Sequence, residues 1–197
     1  MYHDSVYPVS QTGSTGMAFE AGASGKNLTE WQFGMASLNP RWNVSGTYMQ
    51  VLPTFISTDQ DGNDEKEFLL DYFNELPDLL SMVFLKGYQW PFDVNKIFGG
   101  SSVIDLLVYQ ETVLKKRRVF LDYRVNPGNL EKDRDLPYAS MIPEAKEYLS
   151  QAGACFGTPI ERLKHMNEPA ILFYQDHHVD LFKERLEIAV CAQHNNG

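Results

Sequence analysis

Basic residues are scarce in this chain. Lys and Arg number 17 against 26 Asp and Glu, for a formal net charge of −9. That balance argues against a nucleic-acid or anionic-membrane partner, because both need clustered cations. The single dense basic run, Lys115-Lys116-Arg117-Arg118, falls between a helical and a strand pattern. It reads as a solvated helix end, where the helix dipole favours positive charge. Cysteine is nearly absent: Cys155 and Cys191 stand far apart, match no metal spacing and sit in apolar sequence. Buried free thiols are the favoured reading there, and a disulfide is the lesser one. No stretch approaches the ~20 apolar residues that span a bilayer. With no basic-then-apolar leader, these features predict a cytoplasmic protein without membrane insertion. Asn27 and Asn43 each open an Asn-x-Ser/Thr triplet, a pattern common by chance. A Gly-x-Ser-x-Gly elbow, a phosphate loop and a Gly-x-Gly-x-x-Gly fingerprint are all missing from the sequence.

What is present is a globular composition, with 43% hydrophobic and 13% aromatic residues. A chain of 197 residues fits a single domain over 1–197 and buries a core without staples. Gly13 to Ala23 has helical spacing but is punctuated by Gly13, Gly16 and Gly22. Each interior Gly costs a helix roughly 1 kcal/mol relative to Ala, so close approach to backbone is the expected compensation. Leu28 to Phe33 reads as a strand, and Val44 to Phe55 as one or two more. The amphipathic row from Phe68 to Phe84 reads as two helices divided at Pro77, behind an acidic run from Asp59 to Glu67. Val103 to Leu114 predicts a helix and Val119 to Tyr123 a strand. Pro143 to Ala152 predicts a helix closed by Gly153, and Thr158-Pro159-Ile160-Glu161 carries a capping box with Pro in first helical position. Pro169 to Tyr174 reads as a strand and Val179 to Val190 as a last helix. Interleaving without regular βαβ alternation predicts an α+β fold, with a mixed sheet and several packed helices.

Two segments carry more than composition. Thr12-Gly13-Ser14-Thr15-Gly16-Met17-Ala18 runs through Glu20-Ala21-Gly22-Ala23 to Glu30-Trp31-Gln32-Phe33, and the chain ends in Ala192-Gln193-His194-Asn195-Asn196-Gly197. The first resembles the Thr-Gly-x-Gly turn, small-residue helix and Glu-x-x-Gln-Phe strand of fumarate reductase/succinate dehydrogenase flavoproteins. The second resembles that family's His-x-x-Gly-Gly signature. Between them, Arg118-Val119-Phe120-Leu121-Asp122 resembles the strand that closes the capping region. The resemblance implies an FAD-dependent oxidoreductase and a capping-domain-like fold. It implies that Gly13, Ser14, Gly16 and Gly22 face the flavin, and that His194 and Asn196 bind a small-molecule substrate, with a carboxylate among the candidates. The dinucleotide fingerprint is missing and the sequence stops inside the signature. The expectation is therefore an internal, capping piece of a larger flavoprotein, inactive and colourless alone, with the remainder of the parent chain as its partner.

Flavin-dependent reduction of a double bond needs a hydride, a clamp for the substrate and a proton donor. His194, among Gln193, Asn195 and Asn196, suits the clamp; taken without the resemblance, it is a helix-end His in a polar loop. Two positions depart from the family pattern: Gly34 stands where many members place a His, and Ser101-Ser102 replaces an Arg-Asp pair that supplies the proton-donating Arg. Arg41, Arg124 and Arg134 are the substitutes, each readable as an ion-pairing surface Arg, and Arg41 is preferred because it follows the Gln-Phe strand. His177-His178 with Asp176 and Asp180 reads as a solvated helix N-terminal turn and not as a metal site. His165, Glu30 and Glu111 read as structural or hydrogen-bonded groups. A non-catalytic binding module with the same architecture is the alternative.

Overall fold

Elements form most faithfully where the sequence carries its own start and stop signals. The computed structural model describes residues 14–26, 32–130 and 136–192. In chain order the elements are α1 (Ser14–Glu20), β1 (Phe33–Leu38), β2 (Arg41–Asn43), α2 (Thr47–Gln50), β3 (Thr54–Thr58), α3 (Leu76–Lys86) and α4 (Ser102–Tyr109). They continue with β4 (Arg118–Asp122), α5 (Pro143–Gln151), α6 (Pro159–Asp176) and β5 (Leu186–Ala192). The capping box before α6 is complete: Thr158 N and Oγ1 each bond to Glu161 Oε2, at 2.9 and 3.0 Å. α5 stops at a left-handed Gly153, φ 62, which Gly accepts without steric cost. α4 runs on through a single π turn, Gln110–Leu114.

The strands form one open sheet in the order β2-β1-β5-β4-β3. All described pairings are antiparallel, so the mixed sheet expected from the sequence is corrected. β5 is the centre, opposite β1 from Phe33↔Ala192 to Ser37↔Ile188 and opposite β4 from Val119↔Ile188 to Leu121↔Leu186. Helices α3, α4 and α6 cover the core with Leu80, Val83, Phe84, Ile104, Val108, Leu163 and Tyr174. Each large apolar side chain buried there stabilises the fold by about 1.5–3 kcal/mol. Three buried tyrosines lie at the centre, and their hydroxyls find acceptors: Tyr48 on Ala170 O, Tyr123 on Tyr48 O and Tyr174 on Ser37 Oγ. Burial pushes the Tyr48 phenol up to about 12.

Several expected elements change type. Val179 to Val190 is not a helix; its second half is β5, where Leu186, Ile188 and Val190 alternate with Glu187 and Ala189. Pro169 to Tyr174 is not a strand. It continues α6, and Asn167 leaves the helical region (φ −158, ψ 68) to accommodate Pro169. Val44 to Phe55 forms the short α2 and only then β3. The first strand begins at Phe33 and runs forward to Leu38, while Leu28 to Trp31 lie outside the described residues. Ahead of α3, Phe68–Asp71 makes a 3-10 turn, and Pro77 stands in the first turn of α3. Cys191 is buried, but Cys155 is exposed, and neither forms a disulfide. No described helix is long and apolar enough to cross a membrane.

Candidate functional site

Pairing of Phe33 with Ala192 fixes where the two recognisable segments attach. The chain enters β1 and leaves β5 at the same end of the sheet. The loop from Tyr88 to Ser101 closes that end: Phe92 N donates to Phe33 O (2.7 Å), and Trp90 Nε1 donates to Met35 O (3.1 Å). The Trp90 indole lies flat against Gly34, so close that a Cβ there would stand 2.3 Å from Cε2. Gly34 therefore has a local physical cause, because the indole fills the space of any side chain. Gly34→Ala is expected to cost about 1–3 kcal/mol by overpacking and to displace Trp90, read as a change in tryptophan fluorescence and a lower denaturation midpoint. Phe33, Val94 and Phe98 leave an exposed apolar rim here, Phe98 at 92%.

Beneath this loop lies a buried ion pair. Lys86 Nζ stands 2.5 Å from Asp105 Oδ2 and donates to Gln89 O at 3.1 Å. Ser101 bonds to Gln89 Oε1 through N and Oγ, at 3.2 and 3.0 Å, and Ser102 Oγ accepts from Asp93 N at 3.0 Å. Ser101 and Ser102 thus start α4 and tie the loop to it. Burial pushes the Lys86 ammonium down, and Asp105 does not fully offset it. Burial likewise pushes the Asp105 carboxyl up to about 6 against the pull of Lys86. Sequence reading missed both residues. The available signal was an acid between Ile104 and Val108 on the buried stripe of α4, and a Lys directly after Val83-Phe84-Leu85.

A second constellation lines a groove of about 500 Å³ beside β3, among Ile56, Glu65, Lys66, Asp122, Arg124 and Arg185. Burial raises the Asp122 carboxyl, but hydrogen bonds from Arg124 and Arg185 outweigh that and hold it below the usual carboxylate range. This groove belongs to the end of the sheet where β5 begins. The seven residues of β5 separate it from the Phe33–Ala192 pair by roughly 20 Å at ~3.3 Å per residue.

Of the residues picked from sequence, Gly13, His194, Asn196 and Arg134 lie outside the described residues, as does Glu30. Ser14 opens α1. Gly16 is exposed, with nothing within 4 Å of a Cβ built on it. Gly22 is equally open but has a local duty: at φ 92 it ends α1, with Gly22 N on Phe19 O and Ala23 N on Ala18 O. No described neighbour approaches Gly16, so packing does not account for its missing side chain. Arg41 pairs opposite Leu38, at the far end of β1 from Phe33, and its Nη1 donates to Ser37 O at 3.5 Å. Arg124 is an ion-pairing residue on Asp122.

The chain matches no protein-family model, no curated protein and no solved structure in the comparisons made.

His177 and His178 stand at the C-terminal end of α6 and not in an N-terminal turn, with His177 Nδ1 2.7 Å from Phe173 O. Among the described residues no group of three His, Cys, Asp or Glu side chains could hold a metal ion. His165 Nε2 lies 3.0 Å from Ala152 O, a helix-bracing contact. Glu111 is buried and paired with Lys115 and Arg117, so the basic run is partly an ion-pair network rather than a solvated end.

Proposed function

We propose that this chain is the substrate-capping part of an FAD-dependent oxidoreductase similar to fumarate reductase and succinate dehydrogenase flavoproteins. The observation that carries the reading is the Phe33–Ala192 pairing, which attaches the glycine-rich segment and the His194 segment to neighbouring strands at one sheet end. A shared ligand between them needs that adjacency. The exposed apolar rim of Phe33, Val94 and Phe98 at the same end supports it, since exposed apolar clusters mark surfaces that other groups cover. The flavin, when bound, supplies the hydride; Gly16 lets it approach backbone. His194 and Asn196 hold the substrate by hydrogen bonds, and a carboxylate is the group such donors suit. Arg41, at the other end of β1, is the weaker member of the proposed set.

The test is made on the natural gene product that carries this sequence. Purified from its own cells, it is expected to be yellow and to reduce an activated double bond in a small carboxylate or enone when given reduced dye. His194→Ala is expected to lower kcat/KM about 100-fold, the usual loss for one positioned donor. A colourless, flavin-free product would end the oxidoreductase reading, and unchanged turnover of the variant would remove His194 from the site.

A further inference from the structure

The groove beside β3 is organised by one buried acid that holds two guanidinium groups. Asp122, 1% exposed, accepts from Arg124 Nε (2.9 Å) and Nη2 (2.6 Å) and from Arg185 Nε (2.9 Å). Arg124 is also tied to backbone, because its Nη1 donates to Lys183 O at 2.7 Å. Arg185 is not. Both its terminal nitrogens meet a single side chain, Nη1 to Glu65 Oε2 and Nη2 to Glu65 Oε1, each at 2.7 Å. That end-on, two-bond geometry is how a guanidinium takes any carboxylate. Two cations share one buried anion here, so Arg185 keeps an attraction for a second. The Glu65 side chain is about half exposed (49%) on an anchored segment: its neighbour Lys66 bonds to Ser57 through backbone, and Asp64 pairs with Arg117. Beside the fork, Ile56, Leu70 and Val125 supply an apolar wall. A volume of about 500 Å³ suits a small organic molecule.

We propose that Arg185 anchors a binding site for a small monocarboxylate with a short apolar tail, and that Glu65 is its resident competitor. The ligand carboxylate replaces that of Glu65 on the Arg185 fork, and its tail lies against Ile56, Leu70 and Val125. Exchanging one carboxylate for another changes no net charge at the fork. The gain comes from covering the apolar wall, and the binding is correspondingly weak. Asp122 stays ionised throughout, because the two guanidinium groups hold its carboxyl low, so Arg185 keeps its aim after Glu65 leaves.

The experiment is a two-dimensional NMR titration of the chain with butyrate, using butyramide and chloride as controls and no flavin. Butyrate is expected to shift the amides of Glu65, Val125 and Arg185, and butyramide is not. Glu65→Gln removes the competitor from an exposed position and is expected to tighten butyrate about fivefold, the worth of one exposed ion pair. Arg185→Gln is expected to abolish the shifts. The proposal is overturned if Glu65→Gln binds butyrate no more tightly than the native chain, or if butyramide or chloride produces the same shifts. If Arg185→Gln fails to fold, the Glu65→Gln comparison decides alone. The groove and the Phe33–Ala192 end lie at opposite ends of β5, so failure here leaves the flavin reading untouched.

Discussion

Asp105→Leu is expected to lower folding stability by about 3–5 kcal/mol at neutral pH, the usual cost of removing one partner from a buried ion pair. The loss is large because Lys86, fully buried, must either hold its charge with only Gln89 O to meet it or give up its proton. Lys86→Met is expected to cost less, since Asp105 titrates at about 6 and takes up a proton once its partner is gone. The double variant Lys86→Met/Asp105→Leu is expected to return to native stability or exceed it, because two apolar side chains of similar volume avoid the desolvation of both charges. Chemical denaturation of the four proteins checks this order. A double variant clearly less stable than the native chain would mean that the pair contributes net stabilisation.

The same pair sets an unusual pH dependence. Asp105 binds its proton at about 6 in the folded chain but near the ordinary carboxylate value of 3.8 when unfolded. Between those values the folded chain holds a proton that the unfolded chain lacks, so falling pH favours folding. This contribution is absent well above pH 6 and complete below pH 3.8, and amounts to roughly 3 kcal/mol. Asp122 acts in the opposite sense. Its folded value is depressed, so its stabilisation is full above 3.8 and disappears as pH falls below that value. Stability is therefore expected to rise on mild acidification and to fall on strong acidification. Asp105→Asn is expected to abolish the rise and leave the fall, measured by denaturation midpoints across pH.

How much of this was legible in the sequence depends on how far apart the interacting residues stand. α5 and the start of α6 are local events: Gly153 stops one, and Thr158, Pro159 and Glu161 begin the other within four residues. Strand β4 and helix α4 likewise follow their own periodicity. β5 is different, because its identity is set by strands on both sides, and the apolar row from Val179 to Val190 fits a helical face as well as an alternating one. Pro169 announced a break but not its kind, since a single residue, Asn167, absorbs the proline and lets the helix resume. The functional features are more distant still. Trp90 against Gly34 joins residues 56 positions apart, and Glu65 reaches Arg185 across 120. Sequence supplied the residues of these pairs, but only the folded chain brings them together. The glycine reading illustrates the limit: Gly22 is explained by the end of α1 and Gly34 by an indole, and neither cause is visible in the local sequence.

Arg162→Met is expected to destabilise the fold by about 3–5 kcal/mol, and Arg162→Lys by nearly as much. Arg162 is fully buried at the start of α6, and burial pushes its guanidinium pKa down. Its hydrogen bonds go to neutral oxygens: Nε to Val51 O (3.1 Å), Nη1 to Tyr138 Oη, Phe156 O and Gly157 O, and Nη2 to Asn126 Oδ1 (3.0 Å). One planar group thus satisfies the loop after α2, the turn after β4 and the turn before α6. Met fills the volume but leaves the Val51 and Phe156 carbonyls without this donor, and each such buried acceptor costs about 1–3 kcal/mol. Lys carries the charge on a single nitrogen and cannot span acceptors that the guanidinium reaches from both sides. The expected signature is regional: amides of Ile160 and Leu163 lose hydrogen-exchange protection before those of β5 do. Uniform loss across the sheet would mean that Arg162 supports the whole core and not the junction at which α6 begins.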